Sequence, residues 1–148
     1  MSSMSEASPW RLEWSEALSV GIPEIDAEHR QFILLVNQLN EAIIGRMDVD
    51  EIKKRMQAIL DDAVMHFAHE EYLFREWGYP EADMHAIKHA QAVQALSEIM
   101  GKFERGALDY EWIDAGLKVK EALIQHLLKE DMKYRDYCNA AGIRSGAG

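Results

Sequence analysis

The chain has 148 residues, of which 48% are hydrophobic and 28% are charged, as in a single globular domain. Its net charge of -10 leaves no basic surface for phosphates, which argues against nucleic acid or an anionic membrane surface as a partner. Its single cysteine, Cys138, excludes a disulfide within the chain, and we find neither a secretory signal pattern nor an apolar run of about 20 residues, so we expect a cytoplasmic protein without membrane insertion.

In chain order, an irregular N-terminal arm at residues 1–18 is expected first, anchored by Trp10 and Trp14. Apolar periodicity then predicts four helices, at about 23–44, 50–77, 81–104 and 109–139. A glycine lies near each break, and the short connections favour antiparallel neighbours. The fold class is therefore all-α, an up-down-up-down four-helix bundle over residues 19–139, followed by a flexible C-terminal tail at 140–148.

Five of the six histidines lie on the apolar faces of these helices. They are His29 in the first helix, His66 in the second, His85 and His89 in the third, and His126 in the fourth. One such residue would more often be an ordinary core histidine with a satisfied ring. Five buried imidazoles need shared partners, because an unpaired buried polar group costs free energy. At about 1.5 Å of rise per residue, all five also fall at a similar height in the bundle.

Two carboxylates accompany these histidines. The pairs His66/Glu70 and His85/His89 have the four-residue spacing that places both side chains on one helix face. His126 and Asp131 are five residues apart, about 140° on a regular helix, so we expect them to reach the core from two sides of one apolar stripe.

Five imidazoles and two carboxylates suit iron, zinc or copper, but they are too many ligands for one tetrahedral zinc ion. If both carboxylates and one oxygen atom bridge two six-coordinate ions, one coordination position remains open. An open position inside an apolar core favours a small neutral ligand such as O2. Two further polar residues of the second helix are assigned elsewhere by their helical phase: His69 to the edge of the site and Glu71 to solvent.

The sequence resembles the hemerythrins, and most closely the bacteriohemerythrins. The resemblance extends from about residue 14 to 137 and rests on four segments: WSEALSVGIPEIDAEH (14–29), HFAHEE (66–71), GYPEADMHAIKH (78–89) and HLLKED (126–131). It implies two iron ions bridged by an oxo or hydroxo group and by Glu70 and Asp131. One iron would take His85, His89 and His126, and the other His29 and His66. The implied function is reversible O2 binding for carriage, storage or delivery, by a binding protein and not an enzyme.

The wall of the O2 pocket is assigned to Leu123 and Leu127, which flank the histidine of the last helix; ordinary core packing is the alternative for both. Members of the family often carry a tryptophan four residues before this histidine, where this chain has Ala122, so a more open pocket is expected.

Two other functions stay open: an O2-sensing or redox-sensing module, and a di-iron enzyme acting on peroxide or nitric oxide. The expected partner is O2, with an O2-consuming enzyme as a further possibility, and we expect a monomer.

Overall fold

The computed structural model describes residues 11–104 and 109–143 of the chain. Its helices are α1 (Pro23–Ile44), α2 (Val49–Trp77), α3 (Ala82–Glu104), α4 (Asp109–Gln125) and α5 (Asp131–Ala141). A π-helical turn over His126–Glu130 connects α4 and α5. These ranges contain no strand, which confirms the all-α class. None of the helices is both long enough and apolar enough to cross a bilayer within the part of the chain that is described.

Local signals at the helix ends explain why the predicted boundaries of α1, α2 and α3 agree with the structure to within one residue. Pro23 occupies the first position of α1, where its missing N–H would be unpaired in any case. Asp48 caps α2 by accepting the backbone N–H of Glu51 at 2.9 Å. Gly78 ends α2 in the left-handed conformation, with φ of 67°, which favours glycine.

The short turns return each helix beside its predecessor. The helix α1 packs against α2 and α4, α2 packs against α3, and α3 packs against α4. This arrangement is a four-helix bundle in which α4, the π turn and α5 together form the fourth member. The last predicted helix, 109–139, is therefore present, but a π turn that the sequence did not predict interrupts it at His126–Glu130.

The interior consists of two hydrophobic clusters with a polar layer between them. The Phe32 cluster includes Val36, Leu39, Ile59, Ala63, Phe67 and Val119. The Tyr134 cluster includes Ile22, Ile25, Leu73, Phe74, Tyr79 and Cys138. In α1, His29 lies between Ile25 of one cluster and Phe32 of the other. The bundle therefore places its five buried histidines, Glu70 and Asp131 in a layer that is enclosed by apolar side chains on both sides.

The N-terminal arm, which precedes α1 in the chain, lies alongside that helix and contains one 3-10 turn, Glu16–Leu18. The Asn37 side chain accepts from the backbone N–H of Leu12 and donates to its carbonyl, both at 2.8 Å. Trp14 lies under the guanidinium group of Arg30, 4.7 Å from the ring centroid. Trp10 and residues 144–148 lie outside the described residues.

Candidate metal centre

All seven predicted ligand residues meet in the polar layer, and each is at most 7% exposed. Their donor atoms form two groups within which all atoms lie within 4.8 Å of one another. One group contains Glu70, His85, His89, His126 and Asp131, and the other contains His29, His66, Glu70 and Asp131. The two carboxylates belong to both groups, so they lie between one set of three imidazoles and one set of two.

The π turn brings His126 and Asp131 to the same side of the fourth helix. The backbone N–H of Asp131 donates to the carbonyl of His126, the five-residue bond that defines a π helix. As a result Nε2 of His126 lies 3.0 Å from Oδ1 of Asp131. The expectation that these residues approach from two sides of the apolar stripe is therefore corrected: in a π turn, residues five apart are neighbours, whereas a regular helix separates them by about 140°.

The imidazole Nε2 atoms all face the two carboxylates. His89 lies 2.9 Å from Oε1 of Glu70, and His66 lies 3.3 Å from Oε2. His85 and His29 each lie 3.0 Å from an oxygen of Asp131, the former from Oδ1 and the latter from Oδ2. Both carboxylates thus have each of their oxygens beside an imidazole.

Several of these buried atoms approach each other without forming aligned hydrogen bonds. Nε2 of His29, His66 and His126 and Oδ2 of Asp131 have no hydrogen-bond partner, although carboxylate oxygens lie close to the rings. Leaving these lone pairs unpaired in an apolar interior would cost free energy. Imidazole and carboxylate are ligands that iron and related transition metals accept. The donor set therefore fits a cation in each group, with unpaired atoms directed where a cation would bind.

The pKa values of the carboxylates and of the imidazoles in the layer are shifted in opposite directions. Burial would raise the pKa of Glu70, but the neighbouring imidazoles of His66, His29 and His89 lower it well below its usual range. Burial and the charge of Glu70 would raise the pKa of Asp131, but His126 and His29 lower it. Both carboxylates are therefore ionised, as metal ligands must be.

The imidazoles show the complementary effect. Burial would lower the pKa of His29, but its close approach to Asp131 and Glu70 raises it to about 8. Burial would lower the pKa of His66 too, but Glu70 and Glu28 raise it to about 10. The layer therefore favours positive charge beside its two carboxylates.

Three further residues contact the seven donors from outside. Nδ1 of His66 hydrogen-bonds Oε1 of Glu28 at 2.5 Å, and Nδ1 of His89 hydrogen-bonds Oε2 of Glu71 at 2.8 Å. The buried Tyr134 hydroxyl donates to Oε2 of Glu70 at 2.5 Å.

The expectation that Glu71 is solvated is wrong, because its side chain is only 33% exposed and bonded to a neighbouring helix. Neither Glu28 nor Tyr134 was predicted. The available signal for Glu28 and Glu71 was an acidic residue directly beside a proposed ligand in the sequence, although this does not say which ring each residue contacts.

His69 lies at the edge of the layer, as its helical phase predicts. Its ring bonds the second oxygen of Glu28 through Nδ1 at 2.7 Å, and its side chain is 36% exposed. It belongs to neither donor group.

Aromatic rings hold two of the imidazoles in place. Phe67 stacks on His89 with ring centroids 4.0 Å apart and an interplanar angle of 8°. Phe74 meets His85 edge to face at 4.8 Å. These rings belong to the two hydrophobic clusters, so they restrict the imidazoles from opposite sides of the polar layer.

A small apolar cavity of about 30 Å³ adjoins His126 on the side of the Phe32 cluster. It is lined by Phe32, Val36, Ile59, Phe67, Ala92, Leu96, Val119, Ala122 and His126. Space for one water-sized molecule requires roughly 10–15 Å³, so the cavity has room for a diatomic molecule. The side chains of Leu123 and Leu127, the predicted pocket wall, lie outside the described part of the structure.

An antiparallel helical bundle with a buried histidine and carboxylate layer defines the class: an all-α, metal-binding bundle protein. Residues 20–138 match a family model described as "Hemerythrin HHE cation binding domain", so the chain belongs to the hemerythrin family, as its sequence pattern indicates.

Curated proteins and solved structures agree with this assignment. A bacteriohemerythrin of Stenotrophomonas maltophilia is 31% identical over 133 residues, which cover 87% of this chain and 82% of that protein. One from Methylococcus capsulatus is 28% identical, over 83% of this chain and 93% of that protein. A crystal structure of a wild-type hemerythrin superposes with a TM-score of 0.75 at 26% identity, covering 84% of this chain and 95% of that one.

Proposed function

We propose that this protein binds O2 reversibly at a di-iron centre, in the carriage, storage or delivery of oxygen. The observation that carries the proposal is the division of seven buried donors into two groups that share Glu70 and Asp131. Two metal ions bridged by these carboxylates would use all seven donors, whereas a single ion would leave several unpaired.

We propose the following assignment of ligands. His85, His89 and His126 would hold one iron, His29 and His66 would hold the other, and Glu70 and Asp131 with an oxo or hydroxo group would bridge them. This is the partition that the two donor groups suggest on distance. The pair of ions would supply the electrons that make O2 binding favourable and reversible.

The protein's own residues would keep water and protons away from the bound ligand. Hydrophobic clusters lie on both sides of the polar layer, and the 30 Å³ cavity has apolar walls apart from one imidazole edge. A dry site of this kind protects a reactive bound ligand from side reactions. Ala122 lines the cavity, where a larger side chain would reduce its volume.

The same cavity favours a carrier over a peroxide-reducing enzyme. Among the described residues, its wall offers no acid or base apart from His126, which is assigned to the metal. Proton transfer to a reacting ligand by a positioned side chain would need such a group within hydrogen-bonding reach.

The test begins with metal analysis, for which we expect two iron ions per chain. The protein is then reduced without air, O2 is added, and the visible absorption is followed while O2 is admitted and removed. A change that reverses over repeated cycles supports carriage. Rapid conversion to the ferric protein supports a redox sensor or an enzyme instead, and one zinc ion or an absence of iron overturns the proposal.

A further inference from the structure

Two acidic residues outside the donor set, Glu28 and Glu71, bind the outward faces of two imidazoles. Each ring has Nε2 beside Glu70 and Nδ1 beside its own outer carboxylate. Glu28 lies 2.5 Å from Nδ1 of His66, and Glu71 lies 2.8 Å from Nδ1 of His89. The two arrangements therefore share one pattern, outer carboxylate, imidazole, inner carboxylate, with Glu70 at the inner end of both.

We propose that Glu28 and Glu71 are positioning residues, each fixing the tautomer and increasing the electron donation of one imidazole per iron. This inference rests on the proposed di-iron function. It assigns to each metal one carboxylate-backed ligand: His66 on the iron with two imidazoles and His89 on the iron with three.

The tautomer follows from hydrogen-bonding chemistry. An ionised carboxylate has only acceptor oxygens, so a hydrogen bond to it requires the proton of the neutral ring to be on Nδ1. With the proton on Nδ1, the lone pair of Nε2 lies on the side where a metal would bind. In His89 the metal would take the place of the 2.9 Å contact between Nε2 and Glu70.

Both hydrogen bonds also connect neighbouring helices, so they fix the position of each ring as well as the position of its proton. Glu28 belongs to α1 and holds a ring of α2, while Glu71 belongs to α2 and holds a ring of α3. Each glutamate adjoins a donor of its own helix in sequence, His29 in one case and Glu70 in the other. The spacing between donors on neighbouring helices is therefore set in part by these two bonds.

His29 gives a comparison within the same layer. Its Nδ1 is buried and has no hydrogen-bond partner, so no carboxylate increases its electron donation from outside. The carboxylate of Glu28 is shared between two rings, because its second oxygen bonds Nδ1 of His69 at 2.7 Å. The outer carboxylates are thus selective for particular rings and are not a general acidic surface around the site.

The electronic consequence is a change in the preference for ferric over ferrous iron. A carboxylate that accepts a hydrogen bond from Nδ1 makes the imidazole a stronger electron donor to the metal. A stronger electron donor stabilises ferric iron more than ferrous iron, because the ferric ion carries the higher charge. Removing the charge should therefore raise the reduction potential. Both glutamates are 33% exposed, so solvent screening reduces the effect without abolishing it.

The test compares Glu28→Gln and Glu71→Gln with Glu76→Gln, which removes the same charge from an exposed position of α2. The glutamine oxygen can still accept from Nδ1, so we expect the first two variants to keep two irons per chain. We expect their reduction potentials, measured by spectroelectrochemical titration, to exceed that of the control. A tenfold larger loss of affinity for ferric than for ferrous iron corresponds to about 59 mV for one electron.

Alanine at either position removes the hydrogen bond as well as the charge, and should weaken iron binding by about 10–100-fold. Potentials of the glutamine variants equal to that of Glu76→Gln would overturn the proposal, even if the alanine variants lose iron. That result would leave the proposed function intact, whereas wild-type protein without iron or reversible O2 binding would reject the function itself.

A measurement on the wild-type chain covers the case in which a variant does not fold. With zinc as a diamagnetic substitute, nitrogen NMR of the imidazoles should show His66 and His89 protonated at Nδ1. A proton on Nε2 of either ring would overturn the proposal.

Discussion

Glu70 and His69 are neighbours in sequence with different surroundings. Glu70 is fully buried, lies within 3.6 Å of imidazoles from α1, α2 and α3, and accepts the Tyr134 hydroxyl. His69 is partly exposed and bonds Glu28 alone among the hydrogen bonds of the described residues. Of these two residues, Glu70 belongs to both donor groups and His69 to neither, so they should differ sharply in their importance for metal binding.

The variant Glu70→Ala is expected to lose both iron ions, because it removes the carboxylate that lies between the two groups of imidazoles. The variant His69→Ala should keep about the wild-type iron content, since His69 belongs to neither donor group and its ring hydrogen-bonds Glu28, which is not a proposed iron ligand. Metal analysis after purification under identical conditions measures both. Loss of iron in His69→Ala, or retention of two irons in Glu70→Ala, would contradict the assignment.

At the scale of single residues, helical phase predicted the inward side chains and the edge position of His69, but it failed for Glu71. His66 and Glu70 lie on the apolar stripe of α2, so their direction follows from the sequence. The contact of Glu71 with His89 depends instead on where α3 lies relative to α2. Sequence periodicity gives the direction of a side chain about its own helix axis, and it contains no information about the position of the neighbouring helix.

Among the helices, the π turn is the feature that periodicity failed to predict. The ends of α1 to α3 were predictable because proline, glycine and capping residues mark them locally. No comparable residue marks His126–Glu130, and the arithmetic of a regular helix leaves Asp131 about 140° from His126. The five-residue backbone bond brings the two within 3.0 Å, so the fourth helix supplies two donors only because it is irregular there.

Deletion of Lys129, an exposed residue of this turn, should convert the π turn to regular helix. Asp131 would then be the fourth residue after His126, about 40° away on a regular helix, so both side chains stay on one face. We therefore expect the deletion variant to retain both its helix content and its iron, as measured by circular dichroism and metal analysis. Lys129→Ala, which keeps the chain length and the π turn, is the control and should also hold iron; loss of iron in the deletion variant alone would contradict this role of the turn.

For the whole molecule, the buried charges make stability depend on pH once iron has been removed. The pKa of His29 is raised from 6.5 to about 8, and that of His66 from 6.5 to about 10. A raised pKa in the folded state stabilises the protein fully below 6.5, and this contribution is lost as the pH rises through the folded values. The lowered pKa values of Glu70 and Asp131 act in the opposite direction and weaken the fold only in acid.

We therefore expect the chelator-treated protein to have its highest melting temperature near pH 6 and a progressively lower one towards pH 9 or 10. The iron-loaded protein is the control, because bound metal takes the place of the protons on the imidazoles and the alkaline loss should be smaller. Thermal melts across this range measure both forms. A melting temperature that is unchanged or higher at pH 9 in the chelator-treated protein would contradict the prediction.

The division of the interior into two hydrophobic clusters also bears on cooperativity. The free energy of local opening follows the apolar contacts of each region, and here these contacts fall into two sets separated by the layer of seven donors. Metal ions held by all members of the bundle would act as a cross-link between the two sets. The centre would then couple the two ends of the bundle into one unfolding unit, and without it each end could open separately.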